Sequence, residues 1–270
     1  MTIIKAYAVY FSPTGTTGKA ATALAEGTGL PFEKIDLTLL TTRQTFNRSF
    51  ATNELVIVGL PVYGGRLPKN LDNFFSGING NNTPAVAVVM YGNREYEDAL
   101  VELKLRLEGR GFSVIAGAAF IGEHTFSQNI ATGRPNAGDL DTAREYGKKI
   151  IKGIDPEASH ILTVKGNYPF VAKGFDPALP SGPLTTYGRI GTTQDCTHCG
   201  LCAENCPWGA ISFDDAVATD YTKCMRCFRC IRICPVASRR IIDDKWAEIL
   251  PLFEQRLNAV RKEPELFLPE

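Results

Sequence analysis

Three features of this sequence predict an α/β chain built from two unlike modules. Residues 1–153 contain no cysteine and alternate short apolar runs with amphipathic helical stretches. All eight cysteines fall between 196 and 234, in two runs of the same spacing. A stretch rich in proline, glycine and aromatics, 154–189, separates the two regions. The alternation predicts a doubly wound, five-stranded parallel sheet over 1–153. The cysteine runs predict a small α+β module over 190–243, followed by a helix and tail over 244–270.

Residues 3–11 read as the first strand, followed by a hydroxyl-rich turn and a helix over 18–26. Residues 32–37 read as the second strand. The runs LVIVGL (55–60) and AVAVVM (85–90) are continuously apolar, which suits strands buried on both faces. Apolar spacing makes 98–107 a helix, 112–121 the fifth strand and 139–151 the last helix of the module. Disordered linkers are poor in aromatics, so a linker holding Tyr168, Phe170 and Phe175 is expected to pack on the modules it joins. Trp246, Ile249, Leu250, Phe253, Leu257 and Val260 recur at helical spacing and predict a final amphipathic helix, kinked near Pro251.

Formal net charge is zero and 44% of residues are apolar, so ordinary buried cores are expected. The balance of charge argues against nucleic acid or an anionic membrane as the main partner. No apolar run approaches the ~18–20 residues of a spanning helix. Residues 3–11 run into Ser12-Pro13-Thr14-Gly15 without a small-residue cleavage pattern, so they read as a strand rather than an export signal. A cytoplasmic location is the expectation.

The loop Ser12-Pro13-Thr14-Gly15-Thr16-Thr17 joins the first strand to the first helix, where open helix amides bind anions. Its hydroxyls add donors, and Gly15 lets the backbone curl closely. A Walker loop would need glycine at Pro13 and a hydroxyl residue at Ala20, and the dinucleotide fingerprint Gly-x-Gly-x-x-Gly does not occur. A capped helix start without a ligand remains the alternative for this loop taken alone.

The cysteine runs are Cys196-x2-Cys199-x2-Cys202-x3-Cys206-Pro207 and Cys224-x2-Cys227-x2-Cys230-x3-Cys234-Pro235. Each places three thiolates within seven residues, enough for one face of a cubane iron–sulfur cluster. Eight thiolates supply two 4Fe–4S clusters with none left over. A disulfide framework suits small secreted domains instead. Zinc is the stronger rival, because Cys-x2-Cys pairs also build structural zinc sites. A zinc site needs neither the third cysteine at the same spacing nor the closing Cys-Pro, and both occur twice here.

Residues 195–212 with 221–242 resemble a bacterial two-cluster ferredoxin module. That resemblance implies crossed ligation, with one cluster on Cys196, Cys199, Cys202 and Cys234 and the other on Cys224, Cys227, Cys230 and Cys206. The 12–17 loop resembles the phosphate loop of flavodoxins. Pro61-Val62-Tyr63-Gly64-Gly65 and Tyr91-Gly92-Asn93-Arg94 resemble the two flavodoxin loops that hold the isoalloxazine ring of FMN. Tyr63 is the expected stacking residue, Gly64 and Gly65 allow close approach, and Gly92, Asn93 and Arg94 are expected at the pyrimidine edge. The chain as a whole resembles the flavodoxin–ferredoxin fusions grouped as the EFR1-type ferredoxin family.

This resemblance implies FMN, two 4Fe–4S clusters and a relay between one-electron and two-electron chemistry. The rivals are an FMN-dependent reductase of a small substrate fed by the clusters, and a metal-stabilised binding module without redox turnover. The segment 122–126 with 130–135 also resembles that family, and His124, near the end of the fifth strand, is expected as a surface-loop histidine, with an approach to the flavin as the alternative. Charge is uneven: 195–220 holds five acidic residues and no lysine or arginine, while 221–245 is basic. Arg226, Arg229 and Arg232 are expected to offset cluster charge, to form a docking face for an acidic redox partner protein, or both.

Overall fold

The computed structural model describes residues 2–153, 162–170, 188–215 and 218–269. The first module contains β1 (Lys5–Tyr10), α1 (Thr16–Gly27), β2 (Phe32–Asp36), α2 (Leu40–Thr45), β3 (Arg48–Phe50) and β4 (Glu54–Pro61). It continues with α3 (Asp72–Ser76), β5 (Ile78–Gly80), β6 (Thr83–Tyr91), α4 (Ala99–Glu108), β7 (Phe112–Ile121) and α5 (Ala137–Gly153). The cysteine-bearing segment holds β8 (Ile190–Thr192), α6 (Leu201–Glu204), α7 (Arg229–Arg232) and β9 (Arg239–Ile241). The chain closes with α8 (Asp244–Asn258) and β10 (Glu265–Phe267).

The main sheet runs β2-β1-β4-β6-β7-β10. All neighbours pair in parallel except β10, which lies antiparallel on β7 with Leu266 opposite Ala118. The five long strands are those expected from sequence, in the flavodoxin-like doubly wound order that reverses direction between β1 and β4. The expected five-stranded sheet is in fact six-stranded. Three residues are too few to show periodicity, and β10 pairs across more than 140 residues of chain. The small parallel pair β3–β5 and the short α2 and α3 also lie outside the sequence reading.

Two hydrophobic layers cover the sheet. On one face Ala20, Ala21 and Leu24 of α1 and Ala143, Tyr146 and Ile150 of α5 pack over Ala6, Ala8, Val86 and Val88. The two helices approach closely enough that a Cβ on Gly147 would lie 2.2 Å from the Leu24 carbonyl oxygen, so this crossing requires glycine. On the other face Leu100, Leu103 and Leu107 of α4 pack with Phe74 over Val9, Val58 and Val89. Trp208 and Cys227 of the cysteine segment belong to that same layer. The two modules therefore share a core.

The described part of the linker packs on the first module. Leu162 is buried, Asn167 donates from its backbone and its Nδ2 to Asp98, and the Arg66 guanidinium lies 3.9 Å over the Phe170 ring. Phe175 lies outside the described residues. Helix α8 runs through Pro251, with Asp243 capping its start by accepting from the Lys245 amide.

Candidate functional site

The carboxyl ends of β1, β4, β6 and β7 meet at one edge of the sheet, the position where open α/β folds bind ligands. A cleft there is lined by Pro13, Thr14, Thr16 and Thr17, by Pro61, Val62 and Tyr63, by Met90, Tyr91 and Gly92, and by residues 122–125. Eight of the expected residues line it directly: Thr14, Thr16, Thr17, Pro61, Val62, Tyr63, Tyr91 and Gly92. Ser12 and Gly15 border an adjoining open depression beside α1. The fourth wall, Gly122, Glu123, His124 and Thr125, was not among the expected site residues. The end of the fifth predicted strand was the signal for it, carried only as the less favoured alternative for His124.

Other expected residues are engaged elsewhere. The Ser12 hydroxyl accepts the Gly18 amide at 3.0 Å, and the Ser12 amide donates to Thr38 Oγ1, so this serine secures the start of α1. Asn93 donates to the carbonyls of Leu257 and Val260 and accepts from the Lys262 amide, which ties the end of α8 to the first module. Arg94 pairs with Glu97 at 2.8 Å. Gly65 backs against Glu97, while Gly64, at φ +62°, faces open space. None of these four residues from 64 to 94 lines the cleft.

The residues present fit an FMN phosphate. Gly15 has φ +84° and nothing within 4 Å of where a Cβ would stand, so the turn leaves open room at the loop. Thr14 and Thr16 hydroxyls lie 3.4 Å apart on a loop without a carboxylate. The Thr16 and Thr17 amides at the start of α1 have no partner within the helix and are available to an anion, whereas the Gly15 and Gly18 amides are taken by Ser12.

His124 is not the surface-loop residue expected. Its ring meets Phe253 edge-on at 5.1 Å and Phe126 at 5.6 Å, and it presses on Gly92. Nδ1 accepts the Phe126 amide, which places the neutral ring's proton on Nε2. Burial, followed by the charge of Arg94, lowers its pKa to about 4. The segment around it is a hub: Phe126 touches Phe228, Trp246 and Phe253, and Ser127 and Asn129 both donate to Glu254.

The two cysteine runs repeat one backbone. Positive φ recurs at His198 and Gly200 after Cys196, and at Arg226 and Phe228 after Cys224. It recurs again at Gly209, three residues after Cys206, and at Ala237, three after Cys234. Non-glycine residues seldom adopt this region, so its repetition marks a shape imposed on the chain. One cavity is lined by Cys196, Cys199, Cys202 and Cys234. The other is lined by Cys206, Cys224, Cys227 and Cys230. In each set three cysteines come from one run and the fourth from the other. Among the described residues no three His, Cys, Asp or Glu side chains converge on a point where one metal ion would sit.

The two cavities differ in depth. Cys199 is exposed in the outer one, whereas Cys227 is buried in the inner one. Burial pushes the Cys227 thiol up, and the Cys230 thiol up to about 12. Cys234 is affected by burial but is lowered overall by the amides of Arg239, Val236 and Ser238. The Ala210 amide donates to Cys206 Sγ at 3.2 Å. Such donors stabilise thiolate ligands and help set the potential of a cluster.

The inner cavity abuts the cleft. Tyr63 lines the cleft, packs at 6.5 Å from the Trp208 ring, and has its phenol pushed up by burial and then by Cys227 and Cys224. Arg43, almost wholly buried, donates to the Pro207 carbonyl and stacks on Phe11 and Trp208. Arg229 and Arg232, expected to offset cluster charge, to form a docking face, or both, are half-buried and bonded within the chain. Arg229 donates to the Pro13 carbonyl and Arg232 pairs with Glu123.

A doubly wound sheet with a cleft at its switch point, joined to eight thiols in two sets of four, defines a redox protein of electron-transfer type. Residues 195–238 match the family model of the 4Fe–4S dicluster domain. A 76-residue stretch is 33% identical to "Putative oxidoreductase UacF" of Escherichia coli (strain K12), covering 26% of this chain. The match spans only 11% of that relative's length. Solved structures similar to this chain include a flavodoxin from the domain Archaea, at 17% identity over 55% of this chain and 97% of its own, with TM-score 0.38. A Streptococcus pneumoniae TIGR4 flavodoxin covers 56% of this chain and 99% of its own at 16% identity, also with TM-score 0.38. The fold assignment rests on this chain's own strand order. Among the described residues no helix is long and apolar enough to cross a membrane.

Proposed function

We propose that the chain is an electron-transfer flavo-iron–sulfur protein, with FMN in the cleft and a 4Fe–4S cluster in each cysteine cavity. The observation that carries this reading is Tyr63, which forms a wall of the cleft and stands beside the inner cysteines. FMN supplies paired-electron chemistry and each cluster carries one electron, so the assembly converts between the two modes. Thr14, Thr16 and Thr17 with the α1 amides hold the phosphate, and Val62, Tyr63, Tyr91 and Gly92 border the ring.

Depth sets the order of the centres. The outer cavity, with Cys199 exposed and Leu201 and Val236 bare beside it, is the surface terminal where a redox partner protein docks. The inner cavity, with Cys227 buried in the shared core, lies between that terminal and the cleft. Each cavity gathers three cysteines of one run and the fourth of the other, the grouping expected of two cubanes. Protein purified without oxygen tests the reading through its spectrum and its iron, sulfide and flavin content. About eight irons and one FMN per chain are expected, as two cubanes and one flavin site require. Colourless protein with one or two zinc ions would overturn it.

A further inference from the structure

The cleft is not built by the first module alone. We propose that Arg229 and Arg232 make it a joint product of both modules, so that FMN binding and filling of the inner cysteine cavity strengthen each other. This rests on the reading of the cleft as the flavin site.

Helix α7 is four residues long and carries Cys230 between these two arginines. Arg229 Nη1 donates to the Pro13 carbonyl at 2.9 Å, and its Nη2 donates to Asn205, next to Cys206, at 3.0 Å. Arg232 Nη1 donates to Glu123 at 2.8 Å and its Nη2 to the His124 carbonyl at 3.3 Å. Pro13, Glu123 and His124 all line the cleft. One short helix thus joins inner-cavity cysteines to two of the four cleft walls.

The consequence for the ligand follows from peptide geometry. The peptide joining Pro13 to Thr14 is planar, so fixing its carbonyl also fixes the direction of the Thr14 amide. Arg229 further brings positive charge to residues 12–17, which carry none. A four-residue helix does not hold its own shape in water, because nucleation is costly. The cluster on Cys230 supplies that hold. With the inner cavity empty, α7 loosens, both latches weaken, and the cleft loses two fixed walls. Linkage makes the effect reciprocal: FMN retains the inner cluster by the same factor. Arg229 and Arg232 are positioning residues in this scheme.

The test is an FMN titration of the full chain, deflavinated with clusters in place, followed by flavin fluorescence quenching. R229Q and R232Q should each weaken FMN binding by about fivefold or more, the lower end of ordinary coupling between sites. R240Q, at an exposed position without a latch, should bind like the parent. Cys206→Ala, which removes a ligand of the inner cavity, should weaken FMN by a comparable factor, and bound FMN should slow loss of inner-cluster iron in the parent but not in the R229Q/R232Q double variant. If R229Q fails to fold, R229K and R232Q carry the same comparison. Parent-like FMN affinity in both folded variants, with iron loss indifferent to FMN, overturns the coupling. A parent that binds no FMN overturns the reading of the cleft itself.

Discussion

The indole of Trp208 meets the ring of Phe11 edge-on, with centroids 5.0 Å apart. Phe11 follows the first strand of the first module, and Trp208 follows Cys206-Pro207 in the second. The contact lies next to the buried Arg43 guanidinium, so aromatic packing and a cation–π contact reinforce one another across the modules. The pair shows that the cysteine segment is docked rather than tethered.

Trp208→Ala should therefore cost about 3–5 kcal/mol, the usual penalty for emptying a large buried aromatic site. The loss should appear as a lower thermal midpoint and as faster proteolysis between the modules. Trp208→Phe should recover most of it. A Trp208→Ala protein of unchanged stability would mean that the shared core contributes nothing.

Replacing Thr14 and Thr16 together by valine keeps their shape and removes the two hydroxyl donors. Net losses of about 1.5–3 kcal/mol per hydrogen bond to a charged group predict FMN binding at least tenfold weaker. Flavin fluorescence quenching measures it. Retained affinity in a folded double variant would place the phosphate elsewhere.

Crossed ligation predicts that Cys206→Ala disturbs the cluster of Cys224, Cys227 and Cys230, although Cys206 lies in the other run. Cys234→Ala should disturb the cluster of Cys196, Cys199 and Cys202. Paramagnetic NMR shifts of the cysteine β-protons distinguish the two environments. Cys206→Ala should also weaken FMN through α7, whereas Cys234→Ala should not. Sequential ligation would reverse the NMR pattern.

His124 makes a prediction about pH. Its folded pKa, about 4, lies below the ordinary value of 6.5, so the unfolded chain binds the extra proton first. Stability from this group is complete above about pH 6.5 and is lost as pH falls toward 4. Between pH 7 and 5.5 the loss is about 1 kcal/mol, from the linkage relation. Unfolding midpoints of the parent should fall over this range more steeply than those of His124→Gln. Parallel curves would show that His124 is protonated as readily in the fold as in water.

The long strands and the two cysteine runs were legible because each is local: a run of apolar residues or a spacing carries its own signal. The loops that follow β1, β4 and β6 were legible for the same reason. Asn93 was not. Its type suits a flavin edge, but its partners, Leu257, Val260 and Lys262, lie more than 160 residues away. His124 was misread because its neighbours Phe126 and Phe253 meet it only in three dimensions. Arg229 and Arg232 were read as offsetting cluster charge or as a docking face, and nothing within their own segment reveals the Pro13 carbonyl and Glu123 carboxylate they reach.

Strand β10 gives the chain a different topology from a simple tandem. Because Glu265–Phe267 completes the edge of β7, the first module consists of two pieces of sequence, and the cysteine segment sits between them as an insert. During synthesis the β7 edge stays open until after all eight cysteines have been made. An incomplete chain therefore presents an unpaired strand edge of the kind that recruits other chains. Docking of β10 thus covers an edge that residues 1–153 leave bare, so the stability of the first module depends on residues on the far side of the cysteine segment.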